Sequence, residues 1–188
     1  MSVSANVVGR ALAMFAGMEG AQFASFTYRA KESGELAKHT VILNFSTRNV
    51  YEKDVAVVEA ILANPDTDEL TRIAAGELLS SLAVSLSGGI GNNPAYTHSA
   101  DARGEGNETY TTLFQGVKVH NITGEIYVYG LAESKTVLEA GTYKVVKSAP
   151  KTLAKKAIQK TLRSGKIRQF ALGNVQSVRM NGDTLELI

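Results

Sequence analysis

The hydrophobic period of the chain changes twice, and this limits the folds open to it. Residues Gln22 to Arg29 are aromatic and small, and Glu35 to Phe45 place Val41, Leu43 and Phe45 on one face and Ile42 on the other. That is the two-residue period of paired strands, with Lys31-Glu32-Ser33-Gly34 as the turn between them. Over Tyr51 to Ala63 the period becomes helical, with Val55, Val58, Ile61 and Leu62 on one stripe. Pro65 stops this helix, and Asp66 and Glu69 stand at capping-box spacing before a second one carried by Leu70, Ile73, Leu78, Leu82 and Leu86. Strand character returns after Leu113. A sheet interrupted by a helical hairpin is an α+β arrangement.

The remaining elements follow from the same rules. Val8, Leu12, Phe15 and Met18 predict an amphipathic helix at the start, closed by Gly17 and Gly20. Leu113–His120, Glu125–Gly130, Thr136–Leu138 and Thr142–Val146 read as strands. Pro150 to Leu162 reads as a helix with Leu153, Ala157, Ile158 and Leu162 inward and Pro150 in its first turn. Ile167–Leu172, Val175–Met180 and Thr184–Leu187 close the pattern, and Asn181-Gly182 is a strong hairpin signal between the last two. Between the helical pair and the later strands, 88–112 is rich in glycine and polar residues, which predicts a flexible loop. Its Gly88-Gly89-Ile90-Gly91 run follows a helix and lacks the Lys-Ser/Thr of a phosphate-binding loop.

Charge is divided unevenly. Residues 1–143 hold 10 basic and 16 acidic side chains, a net of −6, whereas 144–188 hold 10 and 2, a net of +8. No acid interrupts the nine cations from Lys144 to Arg168. Such a block faces water or meets an anion, and the anion-binding alternatives are a nucleotide or a nucleic acid. The bland alternative is a solvated basic helix that balances the acidic first part. The chain has no cysteine and only three scattered histidines, which leaves no disulfide, thiol chemistry or His-rich metal site to expect. No apolar run approaches the roughly 20 residues of a membrane span, and Arg10 and Glu19 interrupt any signal-peptide pattern. These features predict a cytoplasmic protein that needs no cofactor.

The run Ile167-Arg168-Gln169-Phe170-Ala171-Leu172-Gly173-Asn174-Val175 resembles the closing strands of WYL-type domains, which carry Arg-x-Phe-x-Leu-x-x-Ile/Val. Arg168, Phe170, Leu172 and Val175 match it position by position, and Phe26-Thr27-Tyr28-Arg29 resembles the opening Tyr-Arg strand. Ile126-Tyr127-Val128 stands nearest to the Trp-Tyr-Leu signature itself. More loosely, the chain is similar to SH3-barrel proteins of large phages. The resemblance implies an SH3-like antiparallel β-barrel with a helical insertion and an added basic helix. In that reading 1–188 is a single domain, with the barrel in 20–46 and 113–188. Residues 47–112 are then a helical-hairpin insertion plus the flexible loop. It also implies ligand sensing, commonly of nucleotides or nucleic acid, by basic and aromatic residues.

The candidate ligand-binding residues are therefore Tyr28, Arg29, Tyr127, Lys147, Lys151, Lys155, Lys156 and Arg168. Arg168 is the arginine of the matched strand. Tyr28 and Arg29 offer a stacking ring and a charge. Lys151 and Lys155 are neighbours on one helix face, where like charges repel and so favour an anionic partner. No nucleophile elbow, HExxH or paired-carboxylate pattern is present, so no catalytic residue is expected. The leading expectation is a non-enzymatic binder of an anionic nucleotide-type ligand, acting as a phage counter-defence sponge in the host cytoplasm. The alternatives are a nucleic-acid-binding protein using the basic helix, and a structural protein that forms homo-oligomers.

Overall fold

The computed structural model describes residues 2–87, 110–114 and 116–188, and its fold class is α+β. The expected loop over 88–112 lies outside these residues, except that its last positions belong to a strand. Chain contacts divide the protein into two compact units. One comprises 1–45, 93–143 and 167–188, and the other comprises 46–92 and 144–166.

Among the described residues the first unit is a sheet with one α-helix. Its strands are β1 (Ser2–Val3), β2 (Phe23–Arg29), β3 (Leu36–Ile42), β4 (Tyr110–Phe114), β5 (Val117–His120), β6 (Ile126–Glu139), β7 (Ile167–Ala171), β8 (Val175–Met180) and β9 (Asp183–Leu187). The order β1-β9-β8-β2-β3-β6-β5-β4 is an open path, and β7 pairs with β6 beside it. Among the described residues every pairing is antiparallel apart from β1 with β9. Strand β6 runs for 14 residues and serves three neighbours. Its first part lies between β5 and β7, and its remainder pairs with β3.

Helix α1 (Ala5–Ala16) is capped by the Ser4 side chain, which accepts the Val7 N–H, and it buries Val8, Leu12 and Ala16. These residues meet Phe26, Val41, Val128, Phe170 and Val178 in the core of this unit. Met18 lies beyond the helix and is exposed, contrary to the expected stripe. At Asn181 and Gly182 φ is 50° and 81°, the double positive turn that the Asn-Gly pair predicts. Gly34 has φ 72° in the turn between β2 and β3, also as expected.

Three expectations for this unit need correction. Leu113–His120 is not one strand, because Gly116, at φ 75°, turns the chain between β4 and β5. Glu125–Gly130 and Thr136–Leu138 are not separate, because β3 pairs with Leu131, Ala132 and Ser134 through Val137, skipping Glu133 at a register shift, and carries the polar stretch as one strand. Thr142–Val146 has strand-forming residues but no ladder, and it stays irregular.

The second unit is helical. Helix α2 (Thr47–Ala63) starts at Ser46, whose side chain accepts the Asn49 N–H. Helix α3 (Glu69–Ser87) is capped by Asp68 and not by the expected Asp66: Asp68 accepts both the N–H and the hydroxyl of Thr71. Helix α4 (Pro150–Gln159) has Pro150 in its first turn. Val58, Ala74, Ala75, Leu78, Leu82, Ile158 and Leu162 form the core here. Leu153, expected inward, is 55% exposed, and Leu70 and Ile73 also face outward. Asp54 is buried and accepts the backbone N–H groups of Arg163 and Ser164 at 2.8 and 2.9 Å, which ties the end of the α4 segment to α2. None of the described helices is long and apolar enough to cross a membrane.

Candidate functional site

In the sheet unit, β2, β6 and β7 bring Tyr28, Arg29, Tyr127 and Arg168 to the wall of one cavity of about 380 Å³. Lys31, Gln169, Phe170 and Asn174 also line it. The strand ladders explain the convergence. Tyr127 pairs in register with Ala171 on β7, and Tyr28 pairs with Val175 just past the 3₁₀ turn at Leu172–Asn174. The buried stack of Phe26 on Phe170, with ring centres 4.5 Å apart, fixes β7 over β2. Phe170 in turn meets Tyr28 edge-on at 5.8 Å.

The four residues are not equivalent. Arg29 binds Glu139 at 2.7 Å and also donates to the Gly34 carbonyl, so its charge is already answered. Arg168 and Lys31 are exposed and form no ion pair with a carboxylate among the described residues. Arg168 is thus the guanidinium open to a ligand. The Tyr127 hydroxyl donates to Glu125 at 2.6 Å, and this bond, with burial and the carboxylate charge, pushes its pKa up to about 12. Tyr127 therefore stays neutral and offers its ring. The Tyr28 hydroxyl lies 3.1 Å from Nε2 of His39.

His39 was not among the expected site residues. It is 4% exposed, and burial lowers its pKa from 6.5 to about 4, with the charges of Lys135 and Arg168 adding to the effect and Glu35 opposing it. It is therefore neutral near pH 7. The same alternation that buries Val41 places Ala37 and His39 inward, so extending the face backwards along β3 identifies it. Glu35, also buried, is held by Lys135 at 2.7 Å.

A second cluster in this unit surrounds Lys118, which is 2% exposed. Its Nζ lies 4.1 Å from the ring centre of Tyr110, 5.3 Å from Tyr129 and 5.9 Å from Tyr127. Ring faces stabilise a desolvated ammonium by about 2 kcal/mol. Tyr127 and Tyr129, two residues apart on β6, both bring their rings to this ammonium. Burial also pushes the Tyr129 pKa upward.

Lys147, Lys151, Lys155 and Lys156 belong to the helical unit. Lys151 is not free for an anion, because it binds Glu77 of α3 at 2.6 Å and holds the Glu77 pKa below the usual carboxylate range. Lys156 donates to the Ser148 hydroxyl at 3.3 Å. Lys147 is exposed and Lys155 half-buried. Among the described residues no group of His, Asp or Glu is arranged to hold a metal ion. Comparison with known proteins yields no match: no family model fits the chain, and neither a curated protein nor a solved structure aligns with it significantly.

Proposed function

We propose that this protein is a non-enzymatic receptor for a small aromatic anion of the nucleotide type, held in the cavity between β2, β6 and β7. The supporting observation is that Tyr28, Tyr127 and an Arg168 free of carboxylate partners, distant in sequence, line one cavity. Aromatic side chains stack on any base, and a guanidinium matches phosphate oxygens with paired donors. A cavity of about 380 Å³ lies at the small end of the usual range for ligand sites, roughly 300–1,000 Å³. That size suits a mononucleotide better than an oligonucleotide. The consecutive pairing β8-β2-β3-β6-β7, with a 3₁₀ turn joining β7 to β8, supports the SH3-like reading of this sheet. Sequestration of a signalling nucleotide by such a receptor would proceed by mass action. A nucleic-acid interface on α4 has weaker support, because Glu77 already answers Lys151.

Calorimetry and thermal melting against nucleotides and short oligonucleotides test the proposal. One nucleotide should bind with unit stoichiometry and raise Tm. Arg168→Ala should weaken it about tenfold or more, the worth of a charged hydrogen bond, while Lys155→Glu/Lys156→Glu should leave it unchanged. Binding of oligonucleotides alone, abolished by salt and by the lysine changes, would replace this reading with the nucleic-acid one. No response to any probe would refute both.

A further inference from the structure

The Tyr28–His39 contact has two possible directions, and burial selects between them. His39 is 4% exposed, its Nε2 lies 3.1 Å from the Tyr28 hydroxyl, and its Nδ1 is buried without a hydrogen-bond partner among the described residues. A neutral imidazole carries one N–H and one lone pair. If the hydrogen sat on Nδ1, a buried donor would be orphaned. If it sits on Nε2, only a lone pair is left unanswered, and orphaned buried N–H groups are the rarer and costlier defect. The Nε2–H then points at the Tyr28 oxygen, which becomes the acceptor. The hydroxyl hydrogen of Tyr28 must turn elsewhere, and Tyr28 is half-buried on the cavity wall, where Arg168 and Lys31 are the cations without an ion-pair partner among the described residues, Arg168 being the one with paired donors.

We infer that the Tyr28 hydroxyl and the Arg168 guanidinium form the phosphate-recognising end of the cavity, with Tyr28 held as a hydrogen-bond donor by the Nε2–H of His39. The ligand class is a nucleoside monophosphate, because a single guanidinium and one hydroxyl match one phosphate group. This inference rests on the reading of the cavity as an anion site and assigns Tyr28 a task beyond stacking. His39 is a positioning residue: it touches no ligand and acts by choosing the direction of the Tyr28 bond.

Two measurements test it together. Long-range proton–nitrogen correlation on ligand-free, ¹⁵N-labelled protein at pH 7 reads the tautomer directly. His39 should show a protonated Nε2 and a bare Nδ1, and the opposite pattern overturns the inference whatever the protein binds. Calorimetry with adenosine monophosphate and with adenosine then compares wild type, Tyr28→Phe and Arg168→Ala. Tyr28→Phe keeps the ring, so adenosine binding should hold while monophosphate binding weakens roughly tenfold, as expected for a lost hydrogen bond to a charged group. If only Arg168→Ala weakens the monophosphate, the cavity remains an anion site and this assignment of Tyr28 is wrong. If neither probe binds the wild type, both readings fall.

Discussion

Acid should destabilise this protein through His39 by an amount that can be isolated from its carboxylates. In the folded chain the imidazole has a pKa of about 4 against 6.5 for an exposed one, chiefly because burial disfavours the charged form and then because Lys135 and Arg168 repel it. Between those two values the unfolded chain holds a proton that the folded chain rejects. The contribution is therefore complete above pH 6.5 and is lost as pH falls towards 4. At about 1.4 kcal/mol per pKa unit, the gap amounts to about 3 kcal/mol. The perturbation is His39→Gln, which keeps an amide donor near Tyr28 and removes the titration. Urea unfolding of both proteins at intervals from about pH 7.5 to 4 gives the free-energy difference between them. Carboxylates titrate in both and cancel, so the difference should move by about 3 kcal/mol in favour of the variant as acid is added. Parallel profiles would show that His39 takes up its proton without resistance, and the account of its burial would fail.

Three further predictions concern stability. A Cβ added at Gly130 would lie 2.6 Å from Cβ of Val41, which is wholly buried, so Gly130→Ala should lower unfolding free energy by about 2–3 kcal/mol in urea titration. Gly76 lies inside α3 with open space where a Cβ would go, so Gly76→Ala should raise the unfolding free energy by about 1 kcal/mol; a loss would contradict the helix assignment. Asp54→Ala removes the buried acceptor of two backbone N–H groups and should cost about 3 kcal/mol, with calorimetric melting as the readout.

Much of this architecture is readable from local patterns, and what escapes is set by distant partners. The β2–β3 turn, the Asn181-Gly182 turn and β8 follow from glycine placement and alternation, which act within a few residues. Strand β6 does not, because Glu133-Ser134-Lys135 look like a loop until β3 pairs with Ser134 and Lys135 from far upstream. Tyr143 to Val146 show the converse, since strand propensity without a partner edge leaves the chain irregular. The site divides in the same way. The resemblance to WYL-type strands singles out Arg168 and Tyr127, and the adjacent ring and charge of Tyr28-Arg29 single out Tyr28; the three share a cavity. Spacing cannot show that Glu139 answers Arg29 or that Glu77 answers Lys151, because those acids lie far along the chain. His39 was legible as an inward position but not as a partner of Tyr28, which needs the pairing of β2 with β3.

The interleaved path of the chain has a consequence for biosynthesis. Neither unit is contiguous: the helical one takes α4 from beyond the sheet segment that holds β4–β6, and the sheet takes β7–β9 from beyond α4. On the ribosome, the β2–β3 hairpin emerges with Phe26 exposed and must wait for Val178, its neighbour on β8. Through that interval an unpaired strand edge and an apolar face are open to wrong partners, the condition under which nascent chains recruit chaperones or aggregate. A premature stop between Tyr143 and Pro150 would remove α4 from one unit and three strands from the other, so it should yield two unfinished bodies and no folded fragment.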